Sequence, residues 1–372
     1  MKHQRAALFA VALSASAPTF AQSAITLYGI VDTGVEFFTH ASPTGGTIAR
    51  FPTITGGDLP SRWGLRGEED LGGGLKTIFT LESGFSPASG TSLQNGRLFG
   101  RQSFVGVKGE WGQVTMGRQM NMTIYGMADA DVIGPSAFSL GSFDGYLAAA
   151  RADNSVEYRG KFSDLTLGVS YSFGRDGLSA SNCGGQLPGD TMSCRAITGM
   201  LKYDRPNWGA ALIYDEQRGG AGATAMTVVP GVRGIAFTSS GDSDRRYQAN
   251  GYVMVGKVKI GGGWLHREIK GDVRTVRTDL SYLGVSVPYV AWLLDAQISH
   301  FRNRSYDADG TMGVVRANYS LSKRTAVYGL LAYMKNSGSG AVYSVSSSSL
   351  VPAMPAAGIG QLGAMVGIRH LF

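Results

Sequence analysis

The chain has 372 residues, of which 43% are hydrophobic and 16% charged, with 54 glycines and a net charge of +7. No apolar run nears the roughly 18 residues a membrane-spanning helix requires. Basic residues are scattered rather than gathered into the stripe nucleic acid needs, so no nucleic-acid partner is expected.

In chain order, Lys2 and Arg5, an apolar stretch over residues 6–13 and Thr19-Phe20-Ala21 read as a removable secretion signal over residues 1–21. A single domain over residues 22–372 is then expected. Losing Lys2 and Arg5 lowers the charge from +7 to +5. Glycine, aromatics, serine and threonine dominate the remainder, which argues an all-β chain.

Strands are predicted over residues 25–37, 61–68, 76–85, 101–109, 113–118, 155–160, 165–174 and 197–203. Eight more follow over residues 209–216, 245–255, 259–267, 278–285, 289–301, 311–320, 325–335 and 362–372. Tight Gly- or Pro-containing turns join them in pairs, one of them about Pro288. Long polar segments over residues 40–60, 120–154, 175–196, 219–244 and 336–360 separate the pairs. Short turns at one end and long loops at the other distinguish a membrane barrel from a sandwich. The fold expected is therefore a sixteen-stranded antiparallel transmembrane β-barrel, wide enough to hold water.

Side-chain alternation agrees. In residues 76–85, Phe79, Leu81 and Phe85 oppose Lys76, Thr80 and Glu82; in residues 61–68, Trp63 and Leu65 oppose Arg62, Arg66 and Glu68. The last strand sets Leu362, Ala364, Val366, Ile368 and Phe372 against Gly363, Met365, Gly367, Arg369 and Leu371. Lipid outside and water inside accounts for all three.

Cys183 and Cys194 lie close together in a segment rich in Gly, Ser and Asn. In an oxidising compartment they are expected to form a loop disulfide, contributing up to ~3 kcal/mol of local order. No histidine lies near them, so zinc is not expected, and no cofactor is implied. Gly358-Ile359-Gly360-Gln361-Leu362-Gly363 matches the dinucleotide fingerprint formally but has neither the following helix nor the acidic residue that motif needs.

The motifs Ile25-Thr26-Leu27-Tyr28-Gly29-Ile30-Val31-Asp32, Ser61-Arg62-Trp63-Gly64-Leu65-Arg66-Gly67 and Glu69-Asp70-Leu71-Gly72-Gly73-Gly74-Leu75-Lys76 form one set. Leu81-Glu82-Ser83-Gly84-Phe85, Arg101-Gln102-Ser103-Phe104-Val105-Gly106, Gly117-Arg118-Gln119 and Gly367-Ile368-Arg369-His370-Leu371-Phe372 complete it. With them the chain resembles the general trimeric porins of β-proteobacterial outer membranes. The resemblance implies a homotrimer in the outer membrane, surrounded by lipid and lipopolysaccharide, with a third long loop folded inward as a constriction. It further implies a basic ladder facing acidic groups on that loop. Arg62 and Arg101 hold matching positions and are assigned to the lumen by parity, and Arg151 stands where the family often has another basic residue. Asp129, Asp131 and Asp144 are the candidate acidic partners. Phe372 resembles the signal read by the barrel assembly machinery.

The expected activity is passive diffusion of small hydrophilic solutes and inorganic ions with a preference for anions, through the field between a cationic wall and an anionic loop. Each arginine could instead stiffen the wall in a salt bridge, as Arg66 could with Glu68 or Glu69. Tyr125, Phe138, Phe143 and Tyr146 offer either a sugar-type aromatic slide or pins for the loop. A barrel enzyme is the remaining alternative, but His40, His266, His300 and His370 lack a recognisable nucleophile or carboxylate partner.

Overall fold

Period-2 patterning and glycine-rich reversals produce a closed antiparallel sheet. The computed structural model describes residues 24–52, 57–176, 183–220, 223, 226–229, 234–347 and 353–372; the expected leader lies outside the described residues. The first half of the wall comprises β1 (Ala24–Ser42), β2 (Gly45–Arg50), β3 (Arg62–Gly72), β4 (Leu75–Gly84), β5 (Gln102–Gly109), β6 (Gly112–Met120), β7 (Arg151–Phe162) and β8 (Leu165–Ser172). The second half comprises β9 (Ala196–Arg205), β10 (Trp208–Arg218), β11 (Ser243–Val255), β12 (Val258–Lys270), β13 (Thr275–Tyr289), β14 (Trp292–Arg302), β15 (Asp309–Ser320), β16 (Thr325–Ser337) and β17 (Gln361–Leu371).

Each strand pairs with its sequence neighbour, and β17 pairs with β1 to close the ring. β2 lies in the segment expected to be a loop over residues 40–60. It pairs with the upper half of β1, from Glu36↔Arg50, while β3 pairs with the lower half, from Ala24↔Glu68. β2 and β3 thus share one place in the wall, and the barrel has sixteen places. Residues 57–61 lie off the wall between them, and Leu59 N–H and Asp58 N–H donate to the Asp32 carboxylate at 2.8 and 3.3 Å.

The turn expected about Pro288 sits two residues later, where Val290 adopts φ +54°. Pro288 remains in β13 opposite Leu293, beyond Ser286, the last residue paired with β12. Its missing N–H therefore removes no ladder bond on that side. Between β3 and β4 the reversal uses Gly72, Gly73 and Gly74, all with φ between +61° and +84°, a conformation that excludes most other residues.

Outward side chains are apolar and exposed: Leu212 58%, Leu283 58%, Ile298 56% and Val366 66%. Aromatic pairs collect near the short turns, as in Trp111–Tyr158, Tyr203–Trp208 and Trp292–Tyr319. Tyr214, Tyr247 and His266, with Trp264 beside His266, form a second group farther along the strands. Two aromatic girdles around an apolar band are the mark of a bilayer-spanning barrel. Among the described residues no helix is long and apolar enough to cross a membrane.

Candidate functional site

The lumen is narrowed by residues 121–150, which run inside the wall rather than over it. Their helix, α1 (Met122–Met127), starts at Asn121, whose side chain accepts from Thr123 N–H and donates to Asp215 on β10 at 3.0 Å. One side chain thus caps the helix and ties it to the barrel. Met122 packs with Met200, Ala211 and Ile213 of β9 and β10. Farther on, Arg316 of β15 donates to the carbonyls of Val132 and Ile133 at 2.7 Å each, and to Asp58 and Asp295 at 2.7 and 2.9 Å. Arg316 therefore holds two inward segments at once.

Arg62, Arg101 and Arg151 border one cavity of about 290 Å³. Glu82 on β4 receives Arg101 Nε at 2.7 Å and lies 3.5 Å from Arg62 Nε. Arg151 donates to the Ala149 carbonyl at 3.2 Å and forms no ion pair among the described residues. Two guanidiniums thus share one carboxylate, and the third has none. The parity reasoning for Arg101 needs correction. Arg101 has the parity of Val105 and Val107, which face outward, and it reaches the lumen because the chain bends before β5 begins at Gln102. Beside this cluster, Gly117 at φ +133° starts a bulge in β6 that brings Arg118 to Asp153. Arg97 reaches the same carboxylate at 3.1 Å.

The three candidate aspartates have different surroundings. Asp144 meets Arg246 Nε of β11 at 2.9 Å and Arg267 of β12 at 3.5 Å, and borders a second cavity of about 530 Å³ together with Arg101 and Arg151. Burial alone would raise its carboxyl, but the two guanidiniums outweigh burial and hold it at about 2. Asp131 borders the smaller cavity and accepts from Gln297 at 3.0 Å and from Gly134 N–H at 3.1 Å. Burial pushes Asp131 up to about 6, against those hydrogen bonds. Asp129 borders neither cavity and pairs with Lys202 of β9, so its expected place opposite the arginines is not what the structure shows.

The loop aromatics act as pins. Phe138 is fully buried, Phe143 stacks on Phe301 at 5.5 Å, and Tyr146 donates to Asp215 at 2.7 Å beneath the Arg246 guanidinium. Tyr125 lies under Arg159 at 3.8 Å. Arg66 lies over Tyr28, while Glu68 pairs with Lys76 and Lys108, so the salt bridge considered for Arg66 does not form. Contrary to the sequence expectation, His266 has a carboxylate partner, Asp279 at 2.9 Å, while His300 and His370 bond Thr311 and Thr325. Cys183 and Cys194 are joined by a disulfide, with Cα atoms 5.0 Å apart. Phe372 exchanges two backbone hydrogen bonds with Gly29 at 3.1 Å, and its ring covers the space a Gly29 side chain would need.

Glu82, Arg246, Arg267, Arg316 and Asp58 were not singled out from sequence as members of the site. Strand alternation carries a signal for Glu82, which follows the partly exposed Leu81, and for Arg246, which precedes the exposed Tyr247. Asp58 belongs to an irregular segment with no periodic signal.

Comparison with known proteins agrees with this geometry. A family model described as Gram-negative porin matches residues 6–339. An outer membrane porin of Bordetella pertussis is 31% identical over 355 residues, covering 85% of this chain and 90% of that one. Outer membrane porin protein 32 of Delftia acidovorans is 30% identical over 378 residues, with 97% of each chain covered. The solved anion-selective porin from Comamonas acidovorans superposes with TM-score 0.76 at 27% identity, covering 94% of this chain and all of that one. Sixteen wall places, a polar lumen and an inward loop have the same explanation as these matches: the chain belongs to the Gram-negative porin family, whose members form channels through the outer membrane.

Proposed function

We propose that this porin passes small hydrophilic solutes with a preference for anions, and that Arg62, Arg101 and Arg151 form the basic side of its constriction. The observation that carries the reading is their shared cavity, in which Glu82 is the one carboxylate ion-paired to them and Arg151 has no ion pair among the described residues. Guanidiniums bordering a narrow wet throat lower the energy of a passing anion and raise that of a cation. Asp131 and Asp144 supply the opposing charge. Asp144 adds little to the open field because Arg246 and Arg267 neutralise it. Similarity to a porin named as anion-selective supports the same preference.

The reversal potential of the reconstituted protein in a KCl gradient tests this proposal. Chloride preference is expected, and clear potassium preference overturns it. The resemblance also supports a homotrimer, for which chemical cross-linking in detergent is the check; a monomer alone would contradict it. Lipid and lipopolysaccharide contacts belong to the apolar exterior, and recognition by the assembly machinery to Phe372. Outer-membrane yield of the Phe372→Ser protein tests the latter, and an unchanged yield counts against it.

A further inference from the structure

Charge is only half of what the smaller cavity offers. Beside Arg62, Arg101 and Arg151, its lining includes the partly exposed apolar side chains of Met120, Ile124 and Ala148. Asp131 is the one carboxylate among its described lining residues, and its hydrogen bonds from Gln297 and Gly134 direct it toward the wall and its own loop. A small inorganic anion would gain from the guanidiniums but leave the apolar surface wet. A neutral apolar solute would gain from the surface but nothing from the guanidiniums.

We infer that the solutes this constriction favours are organic monoanions with an apolar body, such as aromatic or branched-chain carboxylates. The carboxylate accepts hydrogen bonds from the guanidinium forks. The hydrocarbon part displaces water from Met120, Ile124 and Ala148. Apolar bodies ordinarily cross a polar throat poorly because they must displace ordered water from it, and an apolar lining beside the basic wall removes that barrier. This inference rests on the anion preference proposed above.

Chloride current through the reconstituted full chain, with benzoate, acetate or benzyl alcohol added at constant ionic strength, tests the inference. Benzoate should inhibit at about tenfold lower concentration than acetate, the ratio given by burying roughly half a phenyl ring. Benzyl alcohol should inhibit far less than benzoate. In the Ile124→Ser protein the benzoate-to-acetate ratio should fall to about two- to threefold. Equal inhibition by benzoate and acetate overturns the inference while leaving a chloride-selective reversal potential intact. Equal inhibition by benzyl alcohol and benzoate also overturns it, because the charge would then be unnecessary. An unchanged ratio in Ile124→Ser overturns the assignment to this cavity, and the wild-type arms need no variant to fold. Potassium selectivity in plain KCl would instead overturn the underlying anion reading.

Discussion

On the β3–β7 side of the lumen, Arg62 and Arg101 share Glu82 while Arg151 forms no ion pair among the described residues. On the β10–β12 side, Arg246 and Arg267 are enclosed by Asp144, Asp215 and Asp244, with Arg246 1% exposed. Both sides concentrate arginine, but the surroundings determine what each arginine does. A guanidinium with too few carboxylates leaves positive potential in the open throat. A guanidinium enclosed by carboxylates has its own field cancelled and fastens the loop. In the proposed reading, the same residue type therefore sets selectivity on one wall and fastens the loop on the other.

Breaking the fastening side should have the largest effect. Arg246→Met leaves Asp144, Asp215 and Asp244 buried without their central cation, a loss of about 3–5 kcal/mol for a buried pair of this kind. Thermal unfolding of the detergent-solubilised protein should show a lowered midpoint, and single-channel records should become noisier as the loop loosens. Unchanged stability would mean that Arg267 alone suffices for the aspartates. Breaking the open side should change selectivity rather than stability. Arg151→Ser removes one cation not paired to a carboxylate. The Coulomb energy of a unit charge about 4 Å away in water is about 1 kcal/mol. The chloride-to-potassium permeability ratio should therefore fall roughly fivefold, read as a shift in reversal potential at low salt, where screening is weakest.

Legibility differed between the same two regions for a physical reason. Regular strands repeat every two residues, so the placement of Arg62 opposite Trp63, and of the closing strand from Leu362 onward, could be read from spacing alone. Arg101 reaches the cavity it shares with Arg62 through a bend that parity does not describe. The inward loop has no period. Asp129, Asp131 and Asp144 are equivalent in sequence, and only tertiary contacts separate the one on Lys202 from the one on Arg246. β2 was hidden for another reason: Gly45–Arg50 is short and glycine-led, and it is a strand because the overlong β1 offers it an edge. Asp58 is positioned by Arg316, 258 residues away in sequence, which no local pattern encodes.

The smallest effect, and the one that sharpens the contrast between the walls, comes from pH. Asp131 titrates near 6 because burial opposes its charge, whereas Asp144 is held at about 2 by its arginines. Lowering the pH from 7 to 5 should therefore neutralise Asp131 and leave Asp144 ionised. The small cavity then loses its one lining carboxylate while its three guanidiniums remain charged, so chloride preference should rise modestly on acidification. The effect on stability has the matching sign. The folded chain holds a proton between 3.8 and about 6 that the unfolded chain releases, so the contribution of Asp131 to stability declines as pH climbs through that window. Asp131→Asn should flatten the selectivity change between pH 5 and pH 7. A profile that stays steep in that variant would place the titrating group elsewhere in the throat. The two loop carboxylates would then differ less than their surroundings require.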